Sequence, residues 1–152
     1  MKTIMIIYHS QQYGNTRKMA ELVAEGCRQV GGVQVTLVNT NEQRVDMKAF
    51  VACDGVALGS PDYFSYVAGG LKQFFDDAWI AKRAGQSTTD KPYVAFLSHG
   101  GGGRAITSLE KLAQSMQYVQ VAPSVLSRGA PSGQVADACR ALGKALAEHV
   151  TR

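Results

Sequence analysis

Apolar positions along the chain switch between two rhythms. Residues 3–9 hold Ile4, Met5, Ile6 and Ile7 in an unbroken run, residues 55–59 and 93–98 behave similarly, and residues 33–38 alternate apolar with polar. Unbroken runs of this length fit strands buried on both faces, whereas alternation fits a strand nearer a sheet edge. A fifth run starts at residue 119 and resumes after Pro123. Between the runs the spacing lengthens to three and four. Met19, Leu22, Val23, Cys27 and Val30 form one face of a helix over 15–30, closed by Gly31-Gly32. The same spacing predicts helices over 42–52, 68–81 and 104–116. A last helix follows Pro131-Ser132-Gly133, with Val135, Cys139, Leu142 and Leu146 on one face.

Five strands alternating with five helices predict right-handed βαβ units. The expected fold class is α/β: one domain over residues 1–152, with a five-stranded parallel sheet between two helical layers. In open parallel sheets, ligands bind beyond the carboxyl ends of the strands, where strand order reverses. That singles out three loops, at 10–16, 60–66 and 98–103.

The first loop reads Ser10-Gln11-Gln12-Tyr13-Gly14-Asn15-Thr16 and opens a helix. Hydroxyls, amides and free backbone N–H groups at a helix start make an anion site, with phosphate the commonest occupant. The same side chains would also serve as a plain helix cap. The second loop begins Ser60-Pro61-Asp62-Tyr63-Phe64, and the third reads Ser98-His99-Gly100-Gly101-Gly102-Gly103. Asp62 is the only carboxylate among the three. Main-chain N–H groups must then supply most hydrogen bonds, which suits a flat, anionic heterocycle. The glycine run lets a ligand approach the backbone, or else forms a flexible turn. His99 is the candidate catalytic residue, able to hydrogen-bond or protonate near neutral pH; the alternative is a rim histidine without a chemical role.

Composition removes several function classes. The formal charge of +4 comes from scattered Lys and Arg, without the clustered stripe that nucleic-acid binding needs. The apolar N-terminal run is too short to cross a membrane or serve as a signal peptide. Cys27, Cys53 and Cys139 form no metal-ligand spacing and read as reduced buried thiols, so a cytoplasmic setting is expected. His9 reads as a structural residue at a strand end. Phe74, Phe75 and Trp79 lie at helical spacing as core or as the face of a possible homodimer, and Asp76 and Asp77 as solvated or partner-facing residues.

With these motifs in order at successive strand ends, the chain resembles the flavodoxin-like family along nearly its whole length. The similarity is closest to the NAD(P)H:quinone oxidoreductase branch that contains the tryptophan-repressor-binding-protein-like enzymes. Ser10…Gly14-Asn15-Thr16 resembles the FMN phosphate loop, and Gly59-Ser60-Pro61-Asp62-Tyr63-Phe64 with Ser98-His99-Gly100-Gly101-Gly102 resembles the two flavin-ring loops. The resemblance implies sheet order 2-1-3-4-5 and FMN as cofactor. Ser10, Asn15 and Thr16 would hold the phosphate, with backbone at Gln11, Gln12, Tyr13 and Gly14. Pro61 to Phe64 and His99 to Gly102 would flank the ring, with Tyr63 or Phe64 the candidate to stack on it or touch its edge. Three residues separate Ser10 from Gly14 where the family pattern has two, so Ser10 or Gln11 could take the hydroxyl position.

No acid/base dyad, nucleophile elbow or metal cluster appears, so a bound cofactor must carry the chemistry. Two functions follow from the resemblance. One is an enzyme passing electrons from NADH or NADPH to a quinone or similar acceptor; the other is an electron carrier between redox protein partners. A third is a flavin-free binding module on the same fold.

Overall fold

The computed structural model describes residues 1–152. In chain order it runs β1 (Lys2–Tyr8), α1 (Asn15–Arg28), β2 (Val33–Asn39), α2 (Met47–Ala52), β3 (Gly55–Pro61) and α3 (Gly69–Arg83). It continues with β4 (Pro92–His99), α4 (Ala105–Ser115), β5 (Val119–Gln120), β6 (Val125–Arg128) and α5 (Gly133–Val150). All pairings are parallel, in the order β2-β1-β3-β4-β5, and β6 also pairs with β4.

Parity along each strand assigns the two layers. Ile4 and Ile6 of β1, Ala57 of β3, and Val94 and Phe96 of β4 pack with Met19, Val23, Cys27, Cys139, Leu142 and Leu146 of α1 and α5. Met5, Ile7, Val56, Leu58 and Ala95 face the other way, onto Phe50, Leu71, Phe74 and Leu109 of α2, α3 and α4. Both faces of the central strands are dry, which is why their sequences show runs without alternation. β2 lies at the edge, and its residues do alternate in exposure.

Two expectations are corrected here. The fifth strand is two strands: Val119–Gln120 pairs with Pro92–Tyr93, and Val125–Arg128 pairs with Phe96–His99. Pro123, which has no N–H, sits in the break, and Gln120 Nε2 donates to Ala122 O (3.1 Å) and Ser124 Oγ (3.2 Å) across it. The helix expected over 42–52 begins only at Met47. Asp46 caps it by accepting from Lys48 N (3.0 Å), while Glu42 and Gln43 turn back on Asn39 O.

The helix of Phe74, Phe75 and Trp79 divides. Phe74 and Phe75 are core, whereas Trp79 and Ile80 stay exposed, with Lys82 and Arg83 over the indole. Asp77 is not simply solvated. Arg44 donates to it through Nε (3.2 Å) and a terminal nitrogen (2.8 Å), and this contact holds the Asp77 carboxyl below its ordinary value. Asp76 pairs with Lys72 one turn away.

Helices α1 and α5 cross where neither can carry a side chain. A Cβ on Gly143 would lie 1.9 Å from Val23 O, and one on Gly26 would lie 1.8 Å from Arg140 O. Cys27 Sγ donates to Gly143 O at 3.3 Å in the same crossing. We expect Gly143→Ala to cost about 1–3 kcal/mol by forced displacement, lowering the thermal midpoint by roughly 2–4 °C per kcal/mol. Gly31→Ala, which meets nothing within 4 Å, is the control and should stay within about 0.5 kcal/mol. A second expectation concerns acid. A lowered folded-state value means that Asp77 stabilises above its unfolded range and loses that contribution as pH falls. Urea midpoints of the protein and of Asp77→Asn should therefore differ at pH 6 and converge toward pH 2.

Candidate functional site

The loops that follow β1, β3 and β4 meet at one edge of the sheet, as parallel strands require. The first forms a cradle from Ser10 through Thr16, closed by Pro61, Tyr63 and Ser98. At its base α1 starts on Gly14, which lies in the left-handed region (φ 78°), and no side chain caps the helix. The leading N–H groups of α1 therefore point into the loop without an intramolecular cap, a natural seat for an anion.

The polar side chains nearby are engaged elsewhere. Asn39, at the end of β2, holds Ser10 twice: Ser10 N donates to Oδ1 (3.0 Å), and Nδ2 donates to Ser10 O (2.9 Å). Thr16 Oγ1 and Ser98 Oγ share a buried hydrogen bond of 2.7 Å, joining the first loop to the third. The Gln11 amide is turned to His9 Nε2. Ser10 and Gln11 both line the cradle, Ser10 held through its backbone and Gln11 bonded to His9 through its amide.

Beside the cradle lies a hollow of about 210 Å³, lined by residues of all three loops including Tyr13, Tyr63, His99 and Gly100, and by Gly129. On the far side of His99 a groove of about 360 Å³ runs between Asp62, Ser65, Gly101, Gly102 and Arg104. Nδ1 of His99 is buried without a partner. The ring is fixed from below, because Gly103 (φ 66°) approaches so closely that a Cβ there would meet the imidazole at 3.0 Å. A buried ring nitrogen without a partner is the exception among buried polar atoms, and His99 itself lines the hollow.

The structure brings together Ser10 to Thr16, Pro61, Asp62, Tyr63, Ser98, His99 and Gly100. Gly101 and Gly102 border the outer groove only. Ser60 is turned inward: its Oγ donates to Pro61 O (2.6 Å) and accepts from Ala68 N (3.0 Å), so it shapes the loop without facing the hollow. Asp62 lines the hollow, but its carboxylate is engaged in the protein, accepting from Ser65 N (2.8 Å) and Ala105 N (3.1 Å). It thereby caps α4 and ties the second loop to the third. Phe64 points fully into solvent at 102% relative exposure. It and Ser65 both adopt φ 60° within a tight turn closed by paired Tyr63–Tyr66 backbone bonds of 3.0 and 3.1 Å. Asn39 and Gly129 were not singled out by sequence. Their signal was positional, since each sits at the carboxyl end of a strand.

The cysteines take no part. All three are free and buried, and burial pushes the Cys27 thiol up to about 12 and that of Cys139 to about 11. Both stay protonated at neutral pH and are poor nucleophiles. No group of three or more His, Cys, Asp or Glu could hold a metal ion, and no helix is long and apolar enough to cross a membrane.

A family model described as NADPH-dependent FMN reductase matches residues 47–131. A flavodoxin of Aquifex aeolicus is 34% identical over 167 aligned positions, with 99% of this chain and 88% of the relative covered. The chain belongs to the flavodoxin-like family of FMN flavoproteins. This flavodoxin-like chain is also 28% identical to the quinone-oxidoreductase QR2 of Triphysaria versicolor, over 78% of its own length and 68% of the relative's. Among solved structures, a flavodoxin from the domain Archaea superposes with a TM-score of 0.84 at 22% identity, covering 99% of both chains. A WrbA-like flavodoxin from Agrobacterium tumefaciens gives 0.82 at 20% identity, covering 99% of this chain and 98% of that one.

The Asp62 bridge yields a direct expectation. Asp62→Ala removes two backbone partners and should cost about 1–2 kcal/mol. Hydrogen exchange should accelerate at Ser65 and Ala105 while the β1 amides keep their protection. Unchanged exchange at both would show that the bridge does not hold the loops together.

Proposed function

We propose that the protein binds FMN and works as an NAD(P)H-dependent oxidoreductase acting on quinones or similar acceptors. The residues present fit the cofactor. The uncapped start of α1, with Ser10, Asn15 and Thr16, suits the phosphate, and Tyr63 and His99, which line the hollow, suit the ring. Bound FMN supplies hydride and electron-transfer chemistry, which these side chains lack.

The observation that carries the enzymatic reading is an asymmetry between the two ring loops. The second loop offers Tyr63, while the third offers no aromatic carbocycle, only Ser98, His99 and glycines, with an open groove beyond. An aromatic on one side and bare glycine backbone on the other leaves room for a flat substrate to stack. In this reading Tyr63 orients the ring, His99 donates a hydrogen bond or holds a proton at the rim, and Arg104 at the groove attracts anionic donors. The match to an FMN reductase model is consistent with it.

A second reading, an electron carrier between protein partners, is favoured by the full-length similarity to a flavodoxin. Mixing FMN-loaded protein with NADH or NADPH and benzoquinone separates the two. Nicotinamide absorbance should fall faster than with an equal amount of free FMN, and His99→Ala should slow it by about tenfold, the worth of one hydrogen bond at the ring. Oxidation no faster than with free FMN leaves the carrier reading in place.

A further inference from the structure

Resting on the FMN reading, we infer that His9 is a proton-linked positioning residue for the phosphate cradle: it becomes imidazolium when the phosphate dianion binds. His9 is 5% exposed, one residue before the cradle, and both its ring nitrogens have partners. Nδ1 lies 3.1 Å from Thr40 Oγ1, and Nε2 meets Gln11 Oε1. The Thr40 hydroxyl lies within reach of Tyr8 O (3.1 Å), and when it donates its single hydrogen there it can only accept from His9. Gln11 Oε1 is an acceptor in any state. With both partners accepting, both ring nitrogens must carry hydrogen, and such an imidazole is a cation. A neutral His9 needs Gln11 turned over, so that its amide NH₂ faces Nε2. Proton and amide orientation are therefore coupled, and Gln11 belongs to the cradle.

The surroundings explain when each state holds. The start of α3 lies directly on the His9–Thr40 contact: a Cβ on Gly70 would come within 2.5 Å of Nδ1 and 2.6 Å of Thr40 Oγ1. A buried imidazolium is costly unless an anion answers it. No carboxylate in the chain bonds the ring. On β1 the neighbouring titratable group is Tyr8, and the charges around Tyr8 are Arg17 and Glu21 of α1 and Glu42 after β2, which pairs with Arg17. The second loop brings Tyr63, edge-on at 6.4 Å, and Asp62, which is bonded to Ser65 and Ala105. On α3, whose Gly70 meets the ring, Lys72 and Asp76 pair with each other. No side chain from Ser10 to Thr16 carries a positive charge. A phosphate dianion in the cradle is thus the anion missing from this set, and His9 is the nearby cation that can appear on demand. One proton passes from solvent to His9 as the dianion binds.

The test is FMN binding between pH 7 and 9, where the phosphate stays dianionic because its second ionisation is near 6. FMN affinity should fall with rising pH by up to about tenfold per unit. Calorimetry at pH 8 in buffers of different ionisation enthalpy should show uptake approaching one proton. Riboflavin, which lacks the phosphate, should bind with no such slope. Nitrogen NMR of the loaded protein should show both His9 ring nitrogens protonated at pH 8, identified by their loss in His9→Gln. That variant should bind FMN with a flat pH profile; if it does not fold, calorimetry and NMR of the native chain decide. FMN affinity that is constant from pH 7 to 9 without proton uptake, or uptake that persists in His9→Gln, overturns this inference alone. Failure to bind FMN at every pH overturns the cofactor reading and this inference with it.

Discussion

Helix α1 begins on a left-handed glycine with no side chain to answer its first N–H groups. Such groups need a partner, and at this edge of the sheet only solvent or an anion can provide one. Much of the loop architecture preserves that condition. Ser10 is held by Asn39 through its backbone, Gln11 is turned to His9, and Thr16 is joined to Ser98. Asp62, the one carboxylate in the three loops, is drawn away to the start of α4. The side chains of Gln11, Thr16 and Asp62 are each committed to partners other than the helix start. The same bonds that hold the edge electropositive therefore also link the loops to one another.

That edge is only as well placed as α1 itself. The helix is seated by its crossing with α5, where Gly26 and Gly143 let backbone meet backbone. Met19, Val23 and Cys27 fill the space below, against Ile4, Ile6 and Phe96. Close packing of this kind transmits displacement instead of absorbing it. A bulkier residue at the crossing should move the anion seat as well as lower stability, although it lies far along the helix from the cradle. Core and site are in this sense one mechanical unit.

The central strands were legible in the sequence because burial on both faces removes the polar half of the pattern, and β2 because an edge restores it. The cradle was legible because a hydroxyl-rich loop between a buried run and an amphipathic segment has few uses. What escaped was decided by single side chains acting across the fold. Pro123 and Gln120 break the last strand in two, and Asp46 shortens α2. Ser60 has the same composition as a ligand-facing residue but points inward, because Ala68 N needs an acceptor. The double grip of Asn39 on Ser10 joins positions 29 residues apart and leaves no local trace. The left-handed Phe64 and Ser65 were invisible for the opposite reason: glycine or asparagine advertises such a turn, and neither is present.

That turn bears on how the site is used. Holding two non-glycine residues at φ 60° costs on the order of 1–3 kcal/mol each, and such strain persists only where surrounding contacts over-determine it. Here the paired Tyr63–Tyr66 bonds and the Asp62 carboxylate supply those contacts. The outcome is a Phe64 ring held outside the hollow it was expected to line, while Tyr63 stays against the hollow. One aromatic is thus available to a ring within the site and another to whatever approaches from solvent. Across the hollow the third loop answers with glycine and a single histidine. On the proposed reading, a site gripped on one side and bare on the other leaves room for a second flat molecule, and the strained turn sets that asymmetry in the backbone.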